Sequence, residues 1–454
     1  MFMLSLILMP DGSRAKMLFD VETTLPLFYP LRYSIDHLNN KSTSSQDASL
    51  QAIKYFYEFW LIKYGKTFCY SFFDSNHNPS IAINELDNFF QYLVDGYSYT
   101  PKLIKFNPTP SMSIYTHAQR VRAVARFIKY LIGKYVNAHY YDDEPKEITR
   151  YSDRLLKSLK IKTEGYSSLR IRRKIDASNV SQGYKSLTVE MVNAIYKIIT
   201  PSSNKRDNEL NPFSTNSLQR RNYLIVRILL NYGLRVGELM SLELESIKTN
   251  IRGDRYSLII ANGSDDNHDP RARLPSLKTD NAHRVIDIEQ GDYEFLQLYI
   301  DSIRPKVKHR FIFTTLRKPF SPLSYDAIYL LFENIDDVFR KNYPTFKNSK
   351  YSDSIDKLTP HVARHTWAYI TLEKIYQKKY EEILKRSSRS GIDFSNNGIM
   401  EDSKSELREL AGWSYGSHMP NHYAKRFIRD RANESNIERI KLETAISTEN
   451  IRDF

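Results

Sequence analysis

Apolar residues recur at spacings of three and four along most of this chain, and that period predicts a fold made mainly of helices. Leu50, Ile53, Tyr57, Trp60 and Tyr64 form one stripe, with Gly65 placed to end it. Leu86, Phe89, Phe90 and Leu93 form a second, closed by Gly96. Val121, Val124, Ile128, Leu131 and Tyr135 form a third, within residues 116–137. Leu224–Tyr232 is a fourth apolar run, and Gly233 supplies a chain reversal after it. Strand-like patterning is sparse. The first forty residues alternate apolar runs with turn signals at Pro10-Asp11-Gly12, Pro26 and Pro30. Tyr256–Ala261 and His283–Ile288 are β-branched-rich and read as one hairpin. The fold class is mainly α with a small β-sheet or hairpin (α+β).

Charge points to the partner. The chain of 454 residues carries a formal net charge of +13, which favours a polyanion; acidic membranes attract such proteins too. Residues 1–100 hold 7 Lys and Arg against 10 Asp and Glu, whereas residues 101–184 hold 17 against 7. The excess is therefore local, as a DNA-facing surface requires. On the third stripe, Arg122, Arg126 and Lys129 lie on a different face from the apolar residues. They read as phosphate contacts, or else as an ordinary solvated face. A basic stretch with Arg170, Arg172, Arg173 and Lys174 reads as a linker, after which Thr188 is placed to cap a new helix.

The expected division is a strand-rich N-terminal extension (1–43), a helical DNA-binding domain (44–159), a basic linker (160–184), a catalytic domain (185–433) and a C-terminal helix or tail (434–454). Cys69 is the one cysteine, so no intrachain disulfide forms and a reducing, cytoplasmic compartment is expected, with nucleoid association. The apolar run at Met1–Met9 lacks a basic flank, is too short to span a bilayer, and reads as a buried strand.

Four stretches carry the chemistry. They are Gly233-Leu234-Arg235-Val236-Gly237-Glu238-Leu239, then Leu277-Lys278-Thr279, then His361-Val362-Ala363-Arg364-His365-Thr366, and Gly412-Trp413 with Tyr423 downstream. Transfer of a phosphodiester needs a nucleophile, neutralised non-bridging oxygens and a proton donor for the leaving oxygen. Arg235, held on a backbone corner, and Arg364 suit the second task, because a guanidinium fork holds two oxygens while staying charged. His361 and Arg364, three residues apart after Pro360, share the start of a helix. Lys278, in a turn-forming sequence, would protonate the leaving 5′ oxygen, and Tyr423 is the candidate nucleophile. No metal-ligand spacing is apparent, so no metal or cofactor is expected.

These stretches resemble the tyrosine recombinases, the phage integrase family. Arg235 sits in what looks like the family's first arginine box, Lys278 resembles its hairpin lysine, and His361 to Arg364 is similar to its His-x-x-Arg box. Trp413 stands where most members have histidine and some have tryptophan, and Tyr423 matches the nucleophile. Trp413 packs or donates one hydrogen bond but does not shuttle protons. The interval from Trp413 to Tyr423 is slightly longer than the family's, which keeps Tyr415 open as an alternative. The stretch from Thr366 to Leu410 is also longer, with a polar insertion near 378–405. The resemblance implies a C-shaped clamp around duplex DNA, a 3′-phosphotyrosine intermediate, a Holliday junction and a homotetramer. DNA-bending accessory proteins remain open. The expected activity is integration, excision or resolution of mobile DNA. The rival readings are a type IB topoisomerase-like nicking and rejoining enzyme, and a non-catalytic DNA-binding clamp.

Overall fold

In the computed structural model the apolar stripes become helices. The described residues are 1–8, 14–39, 41–96, 114–136, 144–168, 186–202, 208–262, 269–271, 274–275, 277, 282–348, 350–351, 353–390 and 398–443. The chain divides into two units, Met1–Lys174 and Ile175–Phe454.

The first unit opens with an antiparallel hairpin, β1 (Phe2–Leu8) and β2 (Arg14–Asp20), in which Phe2 pairs with Asp20 and Leu8 with Arg14. Among the described residues the α-helices that follow are α1 (Phe28–Tyr33), α2 (Thr43–Tyr64), α3 (Phe68–Asp74), α4 (Ser80–Asn84), α5 (Leu86–Val94), α6 (Ile114–Leu131) and α7 (Pro145–Ser168). Ser42 caps α2 by accepting from the Ser45 amide at 3.4 Å, and Gly65 ends it in the left-handed region at φ 65°. The interior is aromatic. Phe56 lies edge-on to Phe68 and Phe89 at centroid distances of 5.3 and 5.4 Å, and all three are fully buried.

The second unit holds α8 (Val189–Ile199), α9 (Asn216–Asn231) and α10 (Val236–Met240), then β3 (Ile247–Thr249), β4 (Tyr256–Ile260) and β5 (Arg284–Ile288). It continues with α11 (Gln290–Ser302), α12 (Tyr325–Asn342), α13 (Pro360–Ser390), α14 (Ile399–Ala411) and α15 (Met419–Glu443). The three strands are antiparallel in the order β3-β4-β5. As expected, Thr188 caps α8, its hydroxyl accepting from the Met191 amide at 3.3 Å. The main core gathers α8, α9, the sheet, α12 and the start of α13. A smaller apolar cluster of Trp367, Ala368, Leu372, Leu407, Ala411, Tyr423 and Ala424 joins α13, α14 and α15.

Other features concern single segments of the chain. The segment 1–43 is not set apart, because Phe2, Leu18, Tyr29 and Tyr33 are buried in the same core as α2 and α6. Helix α7 runs to Ser168, into the stretch read as linker, because Tyr166 is buried and its hydroxyl donates to Asp87 at 2.6 Å. The polar stretch after Lys378 continues α13 to Ser390, since Lys, Glu and Leu there are good helix formers. Residues 434–443 extend α15 without a break, so no separate C-terminal helix begins there. Strand β3 carried no clear sequence signal.

If the hairpin belongs to the core, Leu18→Ala should destabilise the first unit by about 2–5 kcal/mol, the usual cost of a buried leucine truncation. Urea unfolding of the full chain measures this. A loss under about 0.5 kcal/mol, typical of surface changes, would place the hairpin outside the core.

Candidate active site

The apolar run of α9 ends at Tyr232, and Gly233 turns the chain at φ 60°. Glycine is required here twice over. A left-handed conformation strains other residues, and a Cβ would lie 2.1 Å from the Trp367 ring. The Tyr232 hydroxyl anchors the corner, donating to buried Asp292 at 2.6 Å and accepting from the Glu289 amide at 3.0 Å. Arg235 then becomes the N-cap residue of α10. Its amide donates to Glu238 Oε2 at 2.8 Å, and its guanidinium also bonds to Glu238.

Glu238 is the electrostatic centre. It is 1 % exposed and receives Arg235, Arg284 at 3.0 Å and Arg364 at 3.6 Å. Burial would push its carboxyl up. The hydrogen bond from Arg284 and the charges of Arg284, Arg364 and Arg235 together outweigh burial and hold it below the ordinary range. The same arginines meet a second acceptor, the C-terminus of α14. Arg284 Nε donates to the Leu410 carbonyl at 2.8 Å, Arg364 Nη2 to Ala411 at 2.7 Å and Arg235 Nη2 to Gly412 at 3.2 Å. A helix leaves its last carbonyls without internal partners and carries partial negative charge there, so three cations on three consecutive carbonyls satisfy both demands. Arg364 also donates to the Gly233 carbonyl. Burial draws its guanidinium down to about 9, against the attraction of Glu238, and it stays protonated at neutral pH.

Tyr423, on α15, is buried beside this cluster. Its hydroxyl lies 2.5 Å from His365 Nδ1, and His365 Nε2 lies 2.8 Å from His361 Nε2. The Trp413 ring stacks on Tyr423, with centroids 6.0 Å apart and planes 9° from parallel, while Arg364 sits 5.4 Å from the Trp413 ring. Burial raises the Tyr423 phenol to about 12, with the Arg364 charge opposing. Tyr415 is 88 % exposed in the turn between α14 and α15.

Arg235, Arg364, Trp413, Tyr423 and, through His365, His361 are thus brought together in one unit. Lys278 lies outside the described residues, as do Arg172, Arg173 and Lys174. Arg126 and Lys129 are exposed on α6 and Arg122 is half-buried; Arg126 also bonds to Tyr33. Sequence reasoning missed Arg284 and His365. The first had no signal beyond its place in a strand. The second sits four residues after His361, a spacing that puts both on one helix face.

Two substitutions test this construction. Gly233→Ala should unfold or loosen the second unit, read as lost protection of the α9 and α13 amides in hydrogen exchange; full protection would contradict the contact with Trp367. Glu238→Gln should cost about 3–5 kcal/mol at neutral pH, because it strands three cations around one buried site. Glu238 has a depressed folded-state pKa, so its contribution is present above the ordinary glutamate range of about 4.3 and lost as pH falls through the lower folded value. The stability gap between wild type and Glu238→Gln should therefore narrow below about pH 4. A gap independent of pH would contradict it.

Residues 185–381 match the phage integrase family. No curated protein matches the chain. Similar solved structures include the Tn1549 transposon integrase (residues 82–397) in complex with circular intermediate DNA, 13% identical, covering 67% of this chain and 74% of that one at a TM-score of 0.34. The XerH site-specific recombinase bound to palindromic difH substrate, a post-cleavage complex, is 13% identical, covering 78% of this chain and 93% of that one at 0.37. The span that matches the phage integrase family contains Arg235, His361 and Arg364, and Tyr423 lies beyond its end.

Proposed function

We propose that the chain is a site-specific DNA recombinase that cleaves and rejoins strands through a 3′-phosphotyrosine, integrating, excising or resolving mobile DNA. The observation that carries this reading is a buried phenol, Tyr423, hydrogen-bonded to an imidazole and stacked on the ring that Arg364 also faces. Arg235 and Arg364 take the non-bridging oxygens of the scissile phosphate. The bonds of Arg235 to Glu238 and Gly412 leave further N–H donors on its guanidinium, and its side chain is 21 % exposed. His361, exposed at the first turn of α13, adds a donor.

The phenol oxygen attacks phosphorus as the bond to the 5′ oxygen breaks. Lys278 is the proposed donor to that leaving oxygen. The new phosphodiester conserves the bond energy, so a 5′ hydroxyl from a second duplex reverses the step and joins the strands. Trp413 supports Tyr423 by packing and transfers no proton.

Arg122, Arg126 and Lys129, with Arg172, Arg173 and Lys174, are the proposed backbone contacts that position duplex DNA. Strand exchange between duplexes calls for several protomers, and a homotetramer is the proposed assembly. Residues 432–441 of α15 are all exposed, with Ile437 and Ile440 at 50% and 40%, and this apolar edge is the proposed protomer contact. A cytoplasmic, nucleoid-associated location fits this substrate. No helix among the described residues is long and apolar enough to cross a membrane.

Covalent capture tests the reading. On a nicked duplex carrying the element's own junction sequence, wild type and Tyr415→Phe should form a denaturation-resistant adduct and Tyr423→Phe should form none. Tight binding without any adduct would favour a non-catalytic clamp. Recombinant junctions formed from two separate duplexes would distinguish a recombinase from a monomeric topoisomerase, which yields none.

A further inference from the structure

The proposed chemistry leaves one proton unassigned. A phenol held near 12 by burial is a poor nucleophile at neutral pH unless a base removes its proton as the bond to phosphorus forms. We infer that His365 is that base, and that it passes the proton to His361 at the exposed start of α13. The inference rests on the recombinase reading and adds a catalytic residue to it.

The geometry supplies a continuous path. The Tyr423 hydroxyl is 2.5 Å from His365 Nδ1, and His365 Nε2 is 2.8 Å from His361 Nε2. One set of neutral tautomers satisfies both bonds in a single direction. Tyr423 donates to Nδ1 of His365, Nε2–H of His365 donates to His361, and His361 keeps its own proton on Nδ1. Helix geometry maintains the alignment, because residues four apart on α13 lie one above the other. The ring centroids of His361 and His365 are 4.1 Å apart at 71°, and those of His365 and Tyr423 are 5.7 Å apart. His365 is half-buried between an exposed histidine and a buried phenol, which places it as the intermediary.

In the forward step the Tyr423 oxygen bonds to phosphorus, the bond from phosphorus to the 5′ oxygen breaks, and the phenolic proton moves to His365 Nδ1. The Nε2 proton of His365 moves to His361, which becomes an imidazolium. The leaving oxygen takes its proton from a separate donor. On rejoining, the 5′ hydroxyl attacks, the tyrosine leaves, and the proton returns along the same path. Atoms and charge balance over the cycle, and no further reagent is needed.

The test compares adduct formation by wild type, His365→Ala and His365→Gln on two nicked duplexes. One has the natural bridging oxygen, and the other a 5′ bridging sulfur that leaves as a thiolate without a proton donor. A general base contributes about 10²-fold or more, so both variants should be slower by that factor on both duplexes. Added imidazole should restore part of the rate to His365→Ala. Wild-type rates in either variant would overturn the inference, glutamine succeeding because only the hydrogen bond matters. Rescue by the sulfur duplex would also overturn it, by assigning His365 to the leaving group. Should His365→Ala fail to fold, His365→Gln carries the same comparison. If wild type itself forms no adduct on its verified junction, the recombinase reading fails and not merely this addition.

Discussion

One buried carboxylate organises the second unit. Glu238 gathers Arg235 from its own cap, Arg284 from β5 and Arg364 from α13, and without it three cations would crowd one poorly solvated site. Desolvating so much charge is expensive, and the arrangement holds because every partner has further acceptors. Those acceptors are the final carbonyls of α14, closed by Gly412 at φ 59°, with the Trp413 amide donating back to Arg408 at 3.0 Å. The result is a set of guanidinium groups whose planes are fixed by the fold. The proposed reaction would draw on this preorganisation, because donors that must first be gathered do so at the expense of the transition state.

The proposed nucleophile is supported differently. Tyr423 belongs to the small apolar cluster shared by α13, α14 and α15 rather than to the main core. Helix α13 links the two: Val362 and Ala363 pack in the main core, while Trp367 and Ala368 pack in the small one. Trp367 also closes over Gly233, so the corner that presents Arg235 and the cluster that seats Tyr423 share one side chain. The arginines, bonded to the last carbonyls of α14, tie that small cluster to the main core.

Much of this was legible in the sequence, for identifiable reasons. Arg235 and Arg364 stood in fixed frames beside a helix-ending glycine and a helix-starting proline, local features that survive folding unchanged. Tyr423 was the sequence's candidate with Tyr415 left open, and the contrast between them, one buried against Trp413 and His365 and the other exposed, appears only in three dimensions. The role of α14 was invisible, since backbone carbonyls carry no residue-type signal. Arg284 looked like any strand residue, its importance arising only when β5 meets Glu238. The polar stretch after Lys378 read as an insertion because the interval from Thr366 to Leu410 is long, although its residues favour helix. The first strand of the opening hairpin read as buried, but the helices that cover Phe2 and Leu18 were not legible, because that depends on tertiary packing.

The proposed function requires the second unit to join DNA to Tyr423 through a 3′ phosphate. The most direct measurement is mass spectrometry of the nuclease-trimmed, protease-digested adduct formed on the junction duplex. The expected product is a single modified peptide containing Tyr423, with the phenol esterified to a 3′-nucleotide. Modification of Tyr415, or a nucleotide attached through its 5′ phosphate, would contradict it.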